Sequence, residues 1–274
     1  MKNRLVAAFV LVGALLSGAC GGRETEATAA AGEQSAAAAG GRIRGVVRLR
    51  GSAPPAAFEP VGQNQDVCGN RVPVTRLTLG KDGGIANAFV YLESVPGSSG
   101  PLRQRAAVPV EQFKCQYAPR AMALHAGTQL DIGNGDPILH NVHARQATMD
   151  GEHTIFNIAQ PIRGQRTVVP APLTKTGVVT LTCEAGHPWM SANILVADHP
   201  YTAVTDQDGH FTIPDVPTGT YRIRMWHEGI RLTRVLKSVQ KYEFEPPYEL
   251  TSDVVVTSGA EARADFALEV RPSS

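Results

Sequence analysis

From residue 42 onward, apolar positions come in short runs that alternate with polar ones, and turn formers break the runs at close intervals. Ile43–Leu49, Ala88–Glu93, Gln129–Ile132, Thr167–Val169, Gly177–Thr182 and Ile194–Val196 are rich in Val, Ile and Thr and are bounded by Gly, Pro or Asp-Gly pairs. Alternation of this kind places one face of each segment in a core and the other in solvent, which predicts strands. No segment holds a 3.6-residue period long enough to predict a long amphipathic helix. The expectation is an all-β protein.

Composition agrees: 27 glycines and 19 prolines supply many turns, and 274 residues suffice for two domains. Twenty-six Lys and Arg balance 25 Asp and Glu without a basic cluster, so nucleic acid is not an expected partner. The first residues are different. Lys2 and Arg4 precede an apolar run from Leu5 to Leu16, too short for a comfortable membrane span of about 20 residues but right for an export signal. Ser17, Gly18 and Ala19 before Cys20 resemble a bacterial lipobox, which implies lipidation of Cys20; the alternative is an ordinary secretory signal that contains a cysteine. Gly21 after it resembles the outer-membrane sorting pattern. Residues 21–41 are a low-complexity Ala, Gly, Glu and Ser tether. The expected location is the periplasmic side of a bacterial envelope, lipid-anchored, more on the outer than the inner membrane.

By texture the chain divides into a signal (1–20), the tether (21–41), an N-terminal β region (42–98), a central region (99–198) and a C-terminal region (199–271). The central region holds the chemistry. Cys183, His187 and Met190 lie in CEAGHPWM, directly after the strand Gly177–Thr182, and His140 lies upstream in NGDPILHNVHA. Two imidazoles, one thiolate and a weak thioether form the donor set of a type 1 copper site, whose compromise geometry suits both copper oxidation states. His143, three residues beyond His140 on a strand, would point to the opposite face. His125, His153, His199 and His210 have no second ligand at suggestive spacing, and no chemistry is assigned to His227-Glu228.

The Asn-x-Asp turn with His-Asn-Val, followed by Cys-x-x-x-His-Pro-x-Met, resembles the plastocyanin and amicyanin group of cupredoxins. One more residue separates Cys183 from His187 than in amicyanin. The spacing is similar to that of a binuclear copper loop, but the extra cysteine such a centre needs is replaced by Val179, so one copper is expected. The resemblance implies His140 and His187 as equatorial ligands, Cys183 as the thiolate, Met190 as the axial ligand, and Asn141 as the residue tying the two ligand loops together. It also implies that His187 reaches the surface through an apolar rim to which Pro188 and Trp189 contribute; for Trp189 a place in the core is an equal reading. With Cys183 occupied, Cys68 and Cys115 remain to form a disulfide, favoured outside the cytosol and worth about 3–4 kcal/mol in the chain-entropy account.

Thr205-Asp206-x-x-Gly209-x-Phe211 followed by Pro217-x-Gly219-x-Tyr221 resembles the carboxypeptidase regulatory-like, transthyretin-like domain, which implies a fold and no peptidase. The strands of residues 45–91 resemble the start of the same family, leaving two arrangements open: a cupredoxin inserted into a discontinuous transthyretin-like domain, or domains in tandem. The expected fold is thus a cupredoxin Greek-key β-sandwich plus a smaller transthyretin-like β-sandwich. The expected function is electron transfer by a tethered copper protein, with a c-type cytochrome or a periplasmic oxidoreductase as partner and the membrane engaged through lipid. The alternative is a copper-holding or carbohydrate- or protein-binding surface protein dominated by the transthyretin-like unit. No metalloprotease helix, elbow serine or phosphate loop suggests an enzyme.

Overall fold

The computed structural model describes residues 40–97, 105–239 and 241–271; Cys20 and the signal and tether before Gly40 lie outside these. Among the described residues the only α-helix is the four-residue Gln65–Cys68, and no helix is long and apolar enough to cross a membrane. The expected all-β class, with two β-sandwiches, is what the structure has.

One sandwich is assembled from both ends of the described chain. Its first sheet is built on Gly41–Arg50, which pairs antiparallel with His210–Val216 and parallel with Glu261–Arg263 and Phe266–Glu269. Its second sheet orders Thr202–Val204, Phe89–Leu92, Gly219–His227 and Tyr248–Val256. Alternation puts Ile43, Val47, Val90, Ile213, Ile223 and Val256 into the space between the sheets, each almost fully buried. The polar half of the motif at 205–211 has a local cause. Thr205 Oγ1 donates to Ile85 O and accepts from the Ala88 N–H. Asp206 Oδ1 accepts the backbone N–H groups of Asp208 and His210 and so closes the turn. Gly209 turns there at φ +79°, and a Cβ on it would lie 2.4 Å from Val47 O and 2.7 Å from Ile85 N. Phe211 then enters the core, and the Tyr221 hydroxyl donates to Pro217 O across the next turn.

The second sandwich lies in sequence between Phe89–Leu92 and Thr202–Val204. Five strands form one sheet in the order Gly151–Gln160, His140–Thr148, Gly177–Thr182, Ser191–Ala197, Ala121–His125; four form the other in the order Arg166–Val168, Thr128–Asn134, Arg105–Phe113, Gln116–Ala118. Val110, Leu130, Ile132, Val142, Leu181 and Ile194 fill its interior. The chain therefore leaves the first sandwich after its early strands, completes the second, and returns.

Ser191–Ala197 is buried along its whole length because it has a core on each side. Ala192, Ile194 and Val196 face the interior of the second sandwich, whereas Leu195 joins Phe89 and Trp226, whose rings stack 5.3 Å apart, from the first. Between Arg50 and Ile85 the first sandwich extends an arm, a short pair of strands Phe58–Pro60 and Arg71–Pro73 around the helix Gln65–Cys68. Val61 and Val72 of this arm are buried in the core of the second sandwich.

The Gly209 turn gives a direct test. Gly209→Ala combines an unfavourable left-handed conformation with backbone overlap, so urea denaturation is expected to show a loss of about 2 kcal/mol or more; a loss below about 0.5 kcal/mol would contradict this account of the motif.

Candidate metal centre

His140 opens the strand His140–Thr148, and Cys183 follows the end of Gly177–Thr182, which pairs with it through Thr182 and His143. Sheet register thus brings together two residues 43 positions apart. His187 returns to them across the next turn, whose end is fixed by the Met190 N–H donating to His187 O at 3.0 Å. His140 Nδ1 lies 3.2 Å from His187 Nδ1, and Cys183 Sγ lies 3.9 and 3.6 Å from these two nitrogens. Both histidines are fully buried and Cys183 is 2% exposed.

The ring nitrogens have distinct partners. His140 Nε2 is 2.9 Å from Asp136 Oδ2, an acceptor, so Nε2 carries the proton and Nδ1 turns its lone pair to the cluster. The side-chain amide of Asn64 lies 3.1 Å from His187 Nε2; a free lone pair on His187 Nδ1 requires Asn64 to present its oxygen there, the orientation reached by an amide flip. Burial lowers the pKa of His140 against the opposing pull of Asp136. Burial, and secondarily the charge of His140, lowers that of His187 to about 4. Burial raises the Cys183 thiol, opposed by hydrogen bonds from the backbone N–H groups of Asn141, Ala185 and His187. At neutral pH both imidazoles are neutral, and the same backbone donors are in place to stabilise a thiolate when a cation displaces its proton.

The three donor atoms fit a single ion. With sides of 3.2, 3.6 and 3.9 Å, the triangle has an equidistant point about 2.1 Å from each corner, the length of an ordinary metal–imidazole bond and about 0.2 Å short of a metal–thiolate bond. Met190 is 1% exposed and shares the apolar cluster of Cys183. Asn141 connects the loops: its Oδ1 accepts the Glu184 N–H, its Nδ2 donates to Asn157 Oδ1, and its carbonyl accepts from the Tyr117 hydroxyl.

His143 sits outside the cluster, 2.7 Å from Thr154 Oγ1 and 3.0 Å from Glu184. His199 is buried with Nε2 3.0 Å from Leu92 O; His125 is half-buried, and His153 and His210 are exposed. Trp189 takes the core position, its Nε1 donating to Cys115 O.

One expectation is corrected. His187 does not reach the surface, because the arm of the first sandwich lies over it. Asn64 meets its ring, Gln63 Nε2 donates to Ala185 O, and Gly186, at φ +88°, comes so close to Gln63 that a Cβ would overlap its amide. The Cys68–Cys115 disulfide is present and closes this cap, with sulfurs in the same neighbourhood: the ligand-type atoms of Cys68, Cys115 and His187 lie within 4.8 Å of one another. Asp136 was visible in the sequence only as part of the turn before His140. Asn64 carried no sequence signal, since it reaches His187 from 123 residues away.

The family model of the carboxypeptidase regulatory-like domain matches residues 176–269. The match begins on strands of the second sandwich, whereas in the structure the strands completing the first are Gly41–Arg50 and Phe89–Leu92. Among solved structures, a purple cupredoxin from Nitrosopumilus maritimus is 20% identical over 32% of this chain and 98% of its own, with TM-score 0.27. A reduced Cu(I) form of an amicyanin variant is 21% identical over 39% of this chain and 98% of its own, with TM-score 0.29. A copper-containing nitrite reductase from Thermus scotoductus is 17% identical over 39% of this chain and 25% of its own, with TM-score 0.28. Comparison with curated proteins gives no match.

The cap predicts how Cys183 reacts. In metal-free protein this buried thiol should react slowly with an alkylating reagent. The double change Cys68→Ser, Cys115→Ser should speed the reaction by at least about tenfold, the equivalent of about 1.4 kcal/mol of lost cap stability. Peptide mapping by mass spectrometry reads the rate, and equal rates would remove the disulfide from any role in closing the site.

Proposed function

We propose that this protein is an exported, membrane-tethered type 1 copper protein that carries electrons. The observation that carries the reading is the triangle of His140 Nδ1, His187 Nδ1 and Cys183 Sγ, buried from water and fitted to one soft ion. Copper bound there supplies a one-electron couple. His140, held by Asp136, and His187, held by Asn64, present neutral imidazoles in fixed orientations. Cys183 receives backbone hydrogen bonds that would tune a bound thiolate, and the Met190 thioether would supply the weak fourth donor. A rigid cage needing little rearrangement between oxidation states serves electron transfer, and a site whose coordination positions are all supplied by protein offers no opening for substrate, so the reading is non-enzymatic. The leader and Cys20 support export and a lipid anchor. A c-type cytochrome or a periplasmic oxidoreductase is the proposed partner.

The disulfide-closed cap favours a second reading, that of a copper-holding protein, because a covered ion exchanges slowly. Electron exchange tolerates such a cover where ligand exchange does not, and the two readings part on redox behaviour.

Copper(II)-loaded protein is expected to absorb strongly in the visible from the thiolate, to lose that absorption in Cys183→Ser, and to reduce reversibly in a one-electron step. Tight binding without reversible reduction would favour the holding role. Absence of thiolate absorption in the loaded wild-type protein would defeat the type 1 assignment.

A further inference from the structure

Beside Met190, between the base of the arm and the second sandwich, a crevice of about 170 Å³ opens. Its walls include Arg76, Arg120, Trp189, Met190, Ser191 and Phe244. The charges in it do not cancel. Arg120 donates to Glu228 Oε1 at 2.6 Å and to Ser191 O at 3.2 Å, which satisfies one guanidinium with the one carboxylate present. Arg76 is the surplus cation. Its Nη1 is 3.3 Å from Glu228 Oε2, but that oxygen accepts no aligned hydrogen bond, and the guanidinium of Arg76 donates no hydrogen bond to any described residue. One side of it is taken by the Phe244 ring, whose centroid is 3.3 Å away. Burial is the main cause that lowers Arg76 to about 10.

The Arg76 side chain is 15% exposed, so the donors it does not turn to Glu228 open into the crevice, where an anion can pair with them. A second group in the same wall is buried and unsatisfied: Ser191 is 2% exposed and its hydroxyl has no hydrogen-bond partner. We propose that this crevice is a binding site for a small oxyanion, held by the unspent donors of Arg76 with help from Arg120 and the Ser191 hydroxyl. A planar fork of N–H donors suits the paired oxygens of a carboxylate or an inorganic oxyanion, and the surplus positive charge sets the net charge of the occupant at minus one or more. The volume admits a polyatomic anion with a few waters and excludes a large organic ligand. Trp189 and Met190 in the wall place the anion next to the loop that carries His187.

The test uses metal-free full-length protein, which keeps it independent of the copper reading. Inorganic phosphate and formate are titrated separately in chloride-free buffer, with calorimetry and tryptophan fluorescence as readouts. One-site, saturable binding of at least one probe is expected. Arg76→Lys, which keeps the charge over Phe244 but removes the fork, should weaken it by about tenfold. Ser191→Ala should weaken it severalfold while leaving the probe-free melting temperature unchanged. Saturation by formate alone marks a carboxylate site, and by phosphate an inorganic one; each supports the proposal. Absence of saturation with both probes, or equal affinity in wild type and Arg76→Lys, overturns it.

Discussion

The carboxylate of Asp136, 2% exposed, is the point on which the candidate metal centre hangs. Its Oδ1 accepts the Lys114 N–H at 2.8 Å, and its Oδ2 accepts the Cys115 N–H at 2.8 Å while lying 2.9 Å from His140 Nε2. Lys114 and Cys115 form the turn between two strands at φ +50° and +57°, a conformation that side chains other than glycine adopt only at a cost of about 1 kcal/mol each. Two hydrogen bonds to an anion offset that cost. The same carboxylate therefore sets the tautomer of one imidazole and holds Cys115 where the disulfide can reach it. Ligand orientation and closure of the cap share one anchor.

The parts of this site that were legible in the sequence are local. Cys183, His187 and Met190 share one turn, and the strand before them was readable from residue type alone. His140 was legible through the His-Asn-Val sequence, and sheet register accounts for its meeting with Cys183. What covers the site was not legible, because Asn64 and Gln63 act from an arm whose own sequence is an unremarkable loop and whose position is set by tertiary packing of Val61 and Val72. The strands missed in the sequence have the same kind of explanation. Gly151–Gln160 is an edge strand, mostly exposed, and carries no clean alternation; Arg105–Phe113 contains Pro109 and polar residues that mask it. The choice between insertion and tandem order required the pairing of Gly41–Arg50, which no short-range pattern encodes.

The buried ion group of Glu228, Arg120 and Arg76 belongs to the same class of long-range feature. His227-Glu228 had no assignable chemistry as a dipeptide. In the fold, Glu228 receives one arginine from the arm and another from the second sandwich, which joins three separate stretches of chain at the wall of the crevice. Buried charge of this kind adds little net stability but penalises any packing of the two sandwiches that leaves a charge alone.

The doubled-back course of the chain also bears on how the protein forms. Val46 and Asp265 are hydrogen-bonded across 219 residues, a separation at which closing a flexible loop carries a large entropic cost and delays folding. A second sandwich that is already folded collapses its part of that loop to the short distance between Phe89–Leu92 and Thr202–Val204. An insert that folds first would act as an internal splint: its completion would bring the two halves of the first sandwich within reach and leave the terminal strands to close over a module already in place.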